Sequence, residues 1–161
     1  MSQISAVFDC NVFIQSLLNP NGGAADCLEL ERNRVIVLFV STETINEFRD
    51  VIFRPHLSTL LPDLSVSQIE SLIEDILTFS NLRRPKSTYK FDRDPKDAKY
   101  IDLAIESRAE YLITRDNDLL GLMTDYTVEA KEFRQRFRNL KIVDPDEFLR
   151  IIRKMELSVE R

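Results

Sequence analysis

Apolar and polar positions change period repeatedly along this chain, and the changes lay out strands alternating with helices. Ile4 to Phe8 is a short apolar run that ends at Asp9, and Val35 to Val40 is a second. Continuous apolar runs of this length mark strands buried in a parallel sheet. Between them, Val12 to Leu18 and Ala24 to Glu31 predict helices separated by the turn Asn19-Pro20-Asn21-Gly22-Gly23. Ser41 or Thr42 suits the N-cap of the next helix, with Glu43 in its first turn where the helix dipole favours an anion, and Arg54-Pro55 stops it. Val66, Ile69, Leu72, Ile73, Ile76 and Leu77 keep a helical period, which predicts an amphipathic helix over 66–79, and a weak strand follows near Leu82. Asp94-Pro95 opens a helix whose inward face is Ile101, Ala104 and Ile105 and which ends near Ala109. Tyr111 to Ile113 is a strand closed by Thr114-Arg115-Asp116, and Thr127 to Phe137 predicts an extra charged helix. Ile142-Val143 begins a last strand before the helix that contains Phe148, Leu149, Ile152 and Met155. The alternation predicts a three-layer α/β/α sandwich around a central, mostly parallel sheet. Without a linker or repeat, the 161 residues read as one domain, its core over about 4–150 and a C-terminal helix and short tail reaching 161.

Composition narrows the chemistry. With 43% apolar residues and 10 Phe the chain can fill an ordinary core, so disorder is excluded for its body. No apolar run approaches the roughly 18 residues of a membrane span, and Met1-Ser2-Gln3 does not lead into a signal core; the expectation is a cytoplasmic protein with no membrane partner. Cys10, Cys27 and the single His56 can supply neither a disulfide scaffold nor four soft zinc ligands. His56 stands in Arg54-Pro55-His56-Leu57 with no Gly-framed nucleophile nearby, which disfavours triad hydrolysis and cleavage of RNA through its 2′-hydroxyl by a histidine pair. Gly22-Gly23 follows a helix and lacks a nearby Lys, so no phosphate-cradling loop is present. The net charge of −5 argues against bulk electrostatic binding of nucleic acid. Basic residues nevertheless cluster at Arg83, Arg84, Lys86, Lys90, Arg93 and Lys96, and again at Lys131, Arg134, Arg136, Arg138 and Lys141. Solvated helix faces are the ordinary reading of either cluster, yet a positive stripe can coexist with an acidic pocket.

Ligands of open parallel sheets bind beyond the carboxyl ends of the strands, and that rule selects particular acids here. Asp9 and Asp116 each stand just past an apolar strand, Glu47 lies in the helix after the second strand, and Asp97 lies in the first turn of the helix before Tyr111. Each also has a structural reading. Asp9 can cap the helix that starts at Val12, Asp116 or Asp118 can cap a turn, Asp97 can pair with Asp94, and Glu47 can complete a capping box with Thr44. Their joint placement carries the signal. Like charges gathered on one edge make chemical sense chiefly around divalent cations.

The blocks Asp9-Cys10-Asn11-Val12-Phe13-Ile14, Ser41 through Glu47-Phe48, Asp94-Pro95-Lys96-Asp97 and Thr114-Arg115-Asp116-Asn117-Asp118-Leu119 resemble the PIN-domain ribonucleases. They resemble most closely the bacterial toxin components of toxin-antitoxin pairs related to VapC-type toxins, over about residues 4–150. The resemblance implies a metal-dependent endoribonuclease that hydrolyses single-stranded RNA with Mg²⁺ or Mn²⁺ and leaves a 5′-phosphate and a 3′-hydroxyl. It implies Asp9, Glu47, Asp97 and Asp116 as catalytic, metal-binding acids, with Asp118 accessory and Asn11 and Ser41 in support. Arg83, Arg84, Arg93, Lys96 and Arg115 are then candidates for meeting the RNA backbone. A homodimer and a small antitoxin protein whose segment covers the acidic pocket are further implications.

The chain departs from the pattern at Cys10, where Thr is usual and its hydroxyl would orient Asp9; at Arg115, where Gly is common; and in a long charged stretch over 125–139. A small packed side chain is the ordinary reading of Cys10, and a thiol bordering the metal pocket is the alternative. Receiver domains and haloacid-dehalogenase-type phosphatases also gather acids at strand ends. Here, however, Ile142-Val143 leads to Asp144-Pro145 rather than a Lys, and position 11 is Asn rather than a second Asp. A PIN-like fold that has lost activity and serves as a binding or regulatory module is the competing reading.

Overall fold

A computed structural model describes residues 3–160. Its sheet has the order β3-β2-β1-β4-β5, with every pair of neighbours parallel. The strands are β1 (Ile4–Phe8), β2 (Ile36–Val40), β3 (Asn81–Leu82), β4 (Tyr111–Ile113) and β5 (Lys141–Val143). Between β1 and β2 run α1 (Cys10–Leu18) and α2 (Gly23–Arg32); between β2 and β3 run α3 (Thr42–Ile52), α4 (Pro55–Leu60) and α5 (Val66–Phe79). A 3₁₀ turn (Pro95–Asp97) leads into α6 (Ala98–Ser107) before β4. Helices α7 (Asn117–Thr124) and α8 (Val128–Arg136) precede β5, and α9 (Pro145–Val159) closes the chain. One layer is built by α1 packing on α2 and α3 and by α2 packing on α9, while α6 lies across β1, β2 and β4. The architecture is the expected α/β/α sandwich, and its sheet is wholly parallel.

β1 is central, with Ala6 in register with Leu38 on one side and Tyr111 on the other. That position explains why Ala6, Val7 and Phe8 are buried without alternation: helices cover both faces. The sheet winds outward from β1 to β3, then the chain crosses back to place β4 on the other side of β1. The carboxyl ends of β1 and β4 therefore meet at the point where the winding reverses, which is where such sheets form their crevice.

The local signals explain the helix boundaries. Ser41 caps α3 and forms a capping box with Thr44, each side chain bonding the other's backbone N–H. This rules out Glu47 as a capping-box partner of Thr44. Ser65 and Gln68 build a second box on α5, which spans the predicted 66–79. Helix α1 begins at Cys10 rather than at Val12 because Asp9 is already its N-cap. Arg54-Pro55 was expected only to stop a helix; α3 ends at Ile52, and Pro55 then occupies the first turn of α4. Arg108, at φ 52°, is the left-handed C-cap that ends α6. Thr127 caps the expected charged helix α8. No helix among the described residues is long and apolar enough to cross a membrane.

The core under the crevice is aromatic. Phe13 lies edge-on to Phe48 at 5.7 Å and against Phe8 at 5.9 Å, and Phe48 is fully buried. Phe48→Ala is expected to cost about 3–5 kcal/mol, lowering the melting temperature by roughly 6–20 °C, whereas Tyr126→Ala should stay within about 0.5 kcal/mol. Urea denaturation of the two variants checks this, and similar midpoints would contradict the assigned core.

Candidate functional site

The sheet delivers the site through its backbone. Beyond β1, the Asp9 N–H donates to Ile113 O at 2.9 Å, and beyond β4 the Thr114 N–H donates to Val143 O at 3.0 Å. Both residues are therefore held one step past their strands. The Thr114 hydroxyl donates to Asp9 Oδ2 at 2.8 Å and accepts the Asp116 N–H at 2.9 Å. Asp9 Oδ1 accepts the Asn11 N–H at 3.4 Å, and Asp116 Oδ1 accepts the Asp118 N–H at 2.8 Å, so each caps the helix that follows it. Burial pushes the Asp9 carboxyl up, with smaller upward contributions from Glu47 and Asp116; the bonds from Thr114 and Asn11 offset only part of this.

Asp94, Asp97 and Asp116 each bring one carboxylate oxygen within 4.8 Å of the others. Asp97 is buried, and its Oδ2 has no hydrogen-bond partner. Burial, a hydrogen bond with Asp116 and the charges of Asp9, Asp116 and Asp94 push its pKa up to about 8. Asp94 caps the 3₁₀ turn through the Lys96 N–H, and Asp97 makes no side-chain cap bond.

A second group, with one ligand atom each from Asp9, Cys10 and Glu47, has the same compactness. Glu47 Oε1 accepts the Tyr100 hydroxyl at 2.6 Å and the Cys10 thiol at 3.2 Å, and Oε2 pairs with the Lys99 ammonium. Burial works against its ionisation, but the bonds from Lys99, Tyr100 and Cys10 outweigh burial and hold the carboxyl below its usual value. Burial and the Asp9 charge push the Cys10 thiol far up, so it acts as a neutral donor. Tyr100, fully buried, also accepts the Cys10 N–H at 3.1 Å.

The four acids therefore fall in two groups, Asp9 with Glu47 and Asp97 with Asp116, linked by the charge of Asp9 on Asp97, and Asp94 belongs to the second. Asp118 lies outside both groups and supplies its backbone N–H to Asp116. Asn11 is exposed and likewise contributes its N–H. Ser41 spends its hydroxyl on Thr44 and lines a neighbouring cleft of about 580 Å³ with Thr42, Glu43, Leu82, Arg83, Arg84 and Pro85. Arg83 lies over the Phe39 ring at 4.9 Å. Arg93 is committed to Asp125 at 2.5 Å, while Lys96 and Arg115 are exposed beside Asp97 and Asp116. The sequence pattern assigns no role to Thr114, Lys99 or Tyr100. The Thr114 hydroxyl serves Asp9, and Cys10 is a buried side chain whose thiol donates to Glu47.

Because Thr114 serves Asp9 and Asp116 at once, Thr114→Val should destabilise the fold by about 1–3 kcal/mol in urea denaturation. A variant indistinguishable from wild type would show that the hydroxyl does not hold the two ends together.

The comparisons with known proteins agree with this geometry. A family model described as PIN domain matches residues 5–118, from β1 into α7. The uncharacterized protein MJ1680 of Methanocaldococcus jannaschii is 31% identical over 147 residues, covering 91% of this chain and 90% of that protein. An acidic crevice at the winding reversal of a parallel sheet, within a stretch that one family model spans, places the chain in a single lineage: it belongs to the PIN-domain family, a fold of nucleases that typically use divalent metal.

Proposed function

We propose that this chain is a Mg²⁺- or Mn²⁺-dependent endoribonuclease that hydrolyses phosphodiester bonds of single-stranded RNA. The observation that carries the metal is Asp97: a buried carboxylate with an orphaned oxygen, raised to about 8 by burial and by neighbouring acids, fits a site built for a cation. Asp97 and Asp116 would hold the ion together with Asp94, with which they form one compact group, and Asp9 and Glu47 complete the acids that the resemblance names. When bound, the ion supplies a Lewis acid that activates water and offsets charge on the reacting phosphate.

The chain's own residues have separable tasks. Thr114 and the Asn11 N–H orient Asp9, and the Asp118 N–H orients Asp116. Arg83 and Arg84 line the cleft beside α3, where guanidinium groups suit phosphate oxygens, and Lys96 and Arg115 are exposed next to Asp97 and Asp116 along the chain. Arg93 is the weakest of the five candidates because Asp125 already neutralises it. The motif resemblance supports the choice of RNA, the role as toxin of a toxin-antitoxin pair, the cytoplasmic setting and the homodimer. An antitoxin segment placing a basic side chain among the acids suits their uncompensated charge.

Single-stranded RNA should be cut in Mg²⁺ or Mn²⁺, leaving 5′-phosphate ends, and cutting should stop in EDTA. Asp9→Asn and Asp116→Asn should abolish turnover with the fold intact, because Asn caps a helix as well as Asp does. Cleavage that persists in excess chelator rules out the metal mechanism.

Proton release gives an independent readout. The folded pKa of Asp97 lies above its ordinary value of 3.8, so the stability it contributes to the metal-free protein is complete below about 4 and is lost as pH rises through about 8. A cation must displace that proton, so Mn²⁺ affinity should rise roughly tenfold per unit between pH 6 and 8 and then level off. Asp97→Asn should flatten both slopes. A pH-independent Mn²⁺ affinity in calorimetry would contradict the placement of the ion on Asp97.

A further inference from the structure

The acidic edge is electrostatically lopsided. On the Glu47 side both carboxylate oxygens are engaged, Oε1 by the Tyr100 hydroxyl and the Cys10 thiol and Oε2 by Lys99. The Lys99 and Glu47 side chains are only 21% and 20% exposed, and the ammonium lies 5.8 Å from the centre of the Tyr100 ring. On the other side, no basic side chain pairs with Asp94, Asp97 or Asp116 among the described residues, and Asp97 Oδ2 is buried without a partner. Asp9 stands between, compact with Cys10 and Glu47 while its charge bears on Asp97.

From this asymmetry we infer that Lys99 is the resident second cation of the site: its ammonium takes the place of a second divalent ion at Glu47, so the chain binds a single divalent ion, on its aspartates. The inference rests on the metal-dependent reading above and specifies its stoichiometry. A divalent ion approaching Glu47 meets a carboxylate that is already paired, in a largely enclosed space where repulsion between cations is poorly screened. One approaching Asp94, Asp97 and Asp116 meets charge that nothing offsets. Lys99 stands on the first turn of α6, two residues after Asp97 and directly before Tyr100, and its ammonium is held at Glu47 by the ion pair and by partial burial against the Tyr100 ring. An ammonium coordinates nothing as a Lewis acid, but it holds Glu47 in place at any metal concentration and presents N–H donors to a phosphate oxygen. Lys99 is thus a positioning residue for Glu47 and a fixed positive charge at the crevice.

Counting bound ions tests this without any cleavage assay. Full-length chain is titrated with Mn²⁺, with free ion followed by electron paramagnetic resonance and heat by calorimetry. Wild type and Lys99→Arg should saturate at one Mn²⁺ per chain. Lys99→Met, which keeps length and removes charge, should saturate at two, and Lys99→Gln must give the same count in a different shape. Adding Glu47→Gln to Lys99→Met should return the count to one. Two ions in wild type, or one in both charge-removing variants, overturns the role of Lys99 and leaves the metal-dependent reading standing. No bound Mn²⁺ in wild type overturns that reading, and this inference with it.

Discussion

The seam between β1 and β4 is the constraint on which the acidic edge depends. Asp9 and Thr114 each donate one backbone hydrogen bond past the end of their own strand, to Ile113 and Val143, and so their positions are dictated by the sheet. The carboxylates assemble against their mutual repulsion because Ala6, Val7, Phe8, Leu112 and Ile113 beneath them are fully or almost fully buried. Burial of large apolar side chains contributes about 1.5–3 kcal/mol apiece, enough to hold a locally unfavourable cluster in place. On the proposed reading, function is carried by a site that the core stabilises and that does not stabilise itself.

Helix capping and metal binding are not alternatives in this arrangement. Asp9, Asp94 and Asp116 each accept a backbone N–H at the start of a helix or turn, which offsets part of the cost of their charge. Asp97 differs: it stands at the N-cap position of α6 yet makes no cap bond, and one of its oxygens is buried with nothing to accept from. An acid with no structural employment in a buried place is a stronger sign of a ligand role than any of the capping acids, and spacing by itself cannot reveal it.

What the pattern of residues discloses follows the strength of its periods. The apolar runs of β1 and β2 and the stripe of α5 are long enough to read, and Asp9 and Asp116 are legible because they stand just past strand ends that are visible in the chain. Two helices are not visible. Helix α4 buries only Leu57 and so has no stripe, and its Pro55 reads as a stop signal when it is in fact a start. Helix α7 contains Gly121, a poor helix former that weakens the helical signal of the segment. The supporting atoms of the site are hidden for another reason. Tyr100 lies in the apolar pattern of α6, and only the fold brings its hydroxyl to Cys10 and Glu47, 90 and 53 residues away.

Two positive charges quieten the acids in the metal-free protein, and they differ in kind. The proton held by Asp97 is exchangeable: it sits where burial and neighbouring charge raise the pKa to about 8, so a divalent ion can take its place near neutral pH. The ammonium of Lys99 is covalently tethered to the chain and stays paired with Glu47 in a mostly buried place. On the proposed reading the crevice is therefore divided between a replaceable and a permanent cation. Tyr100 and Cys10 belong to that division: they fill Glu47 Oε1 and leave Oε2 to Lys99. The Cys10 thiol, a departure from the family pattern, belongs to this device, since a buried neutral donor keeps Glu47 ionised without adding charge to the site.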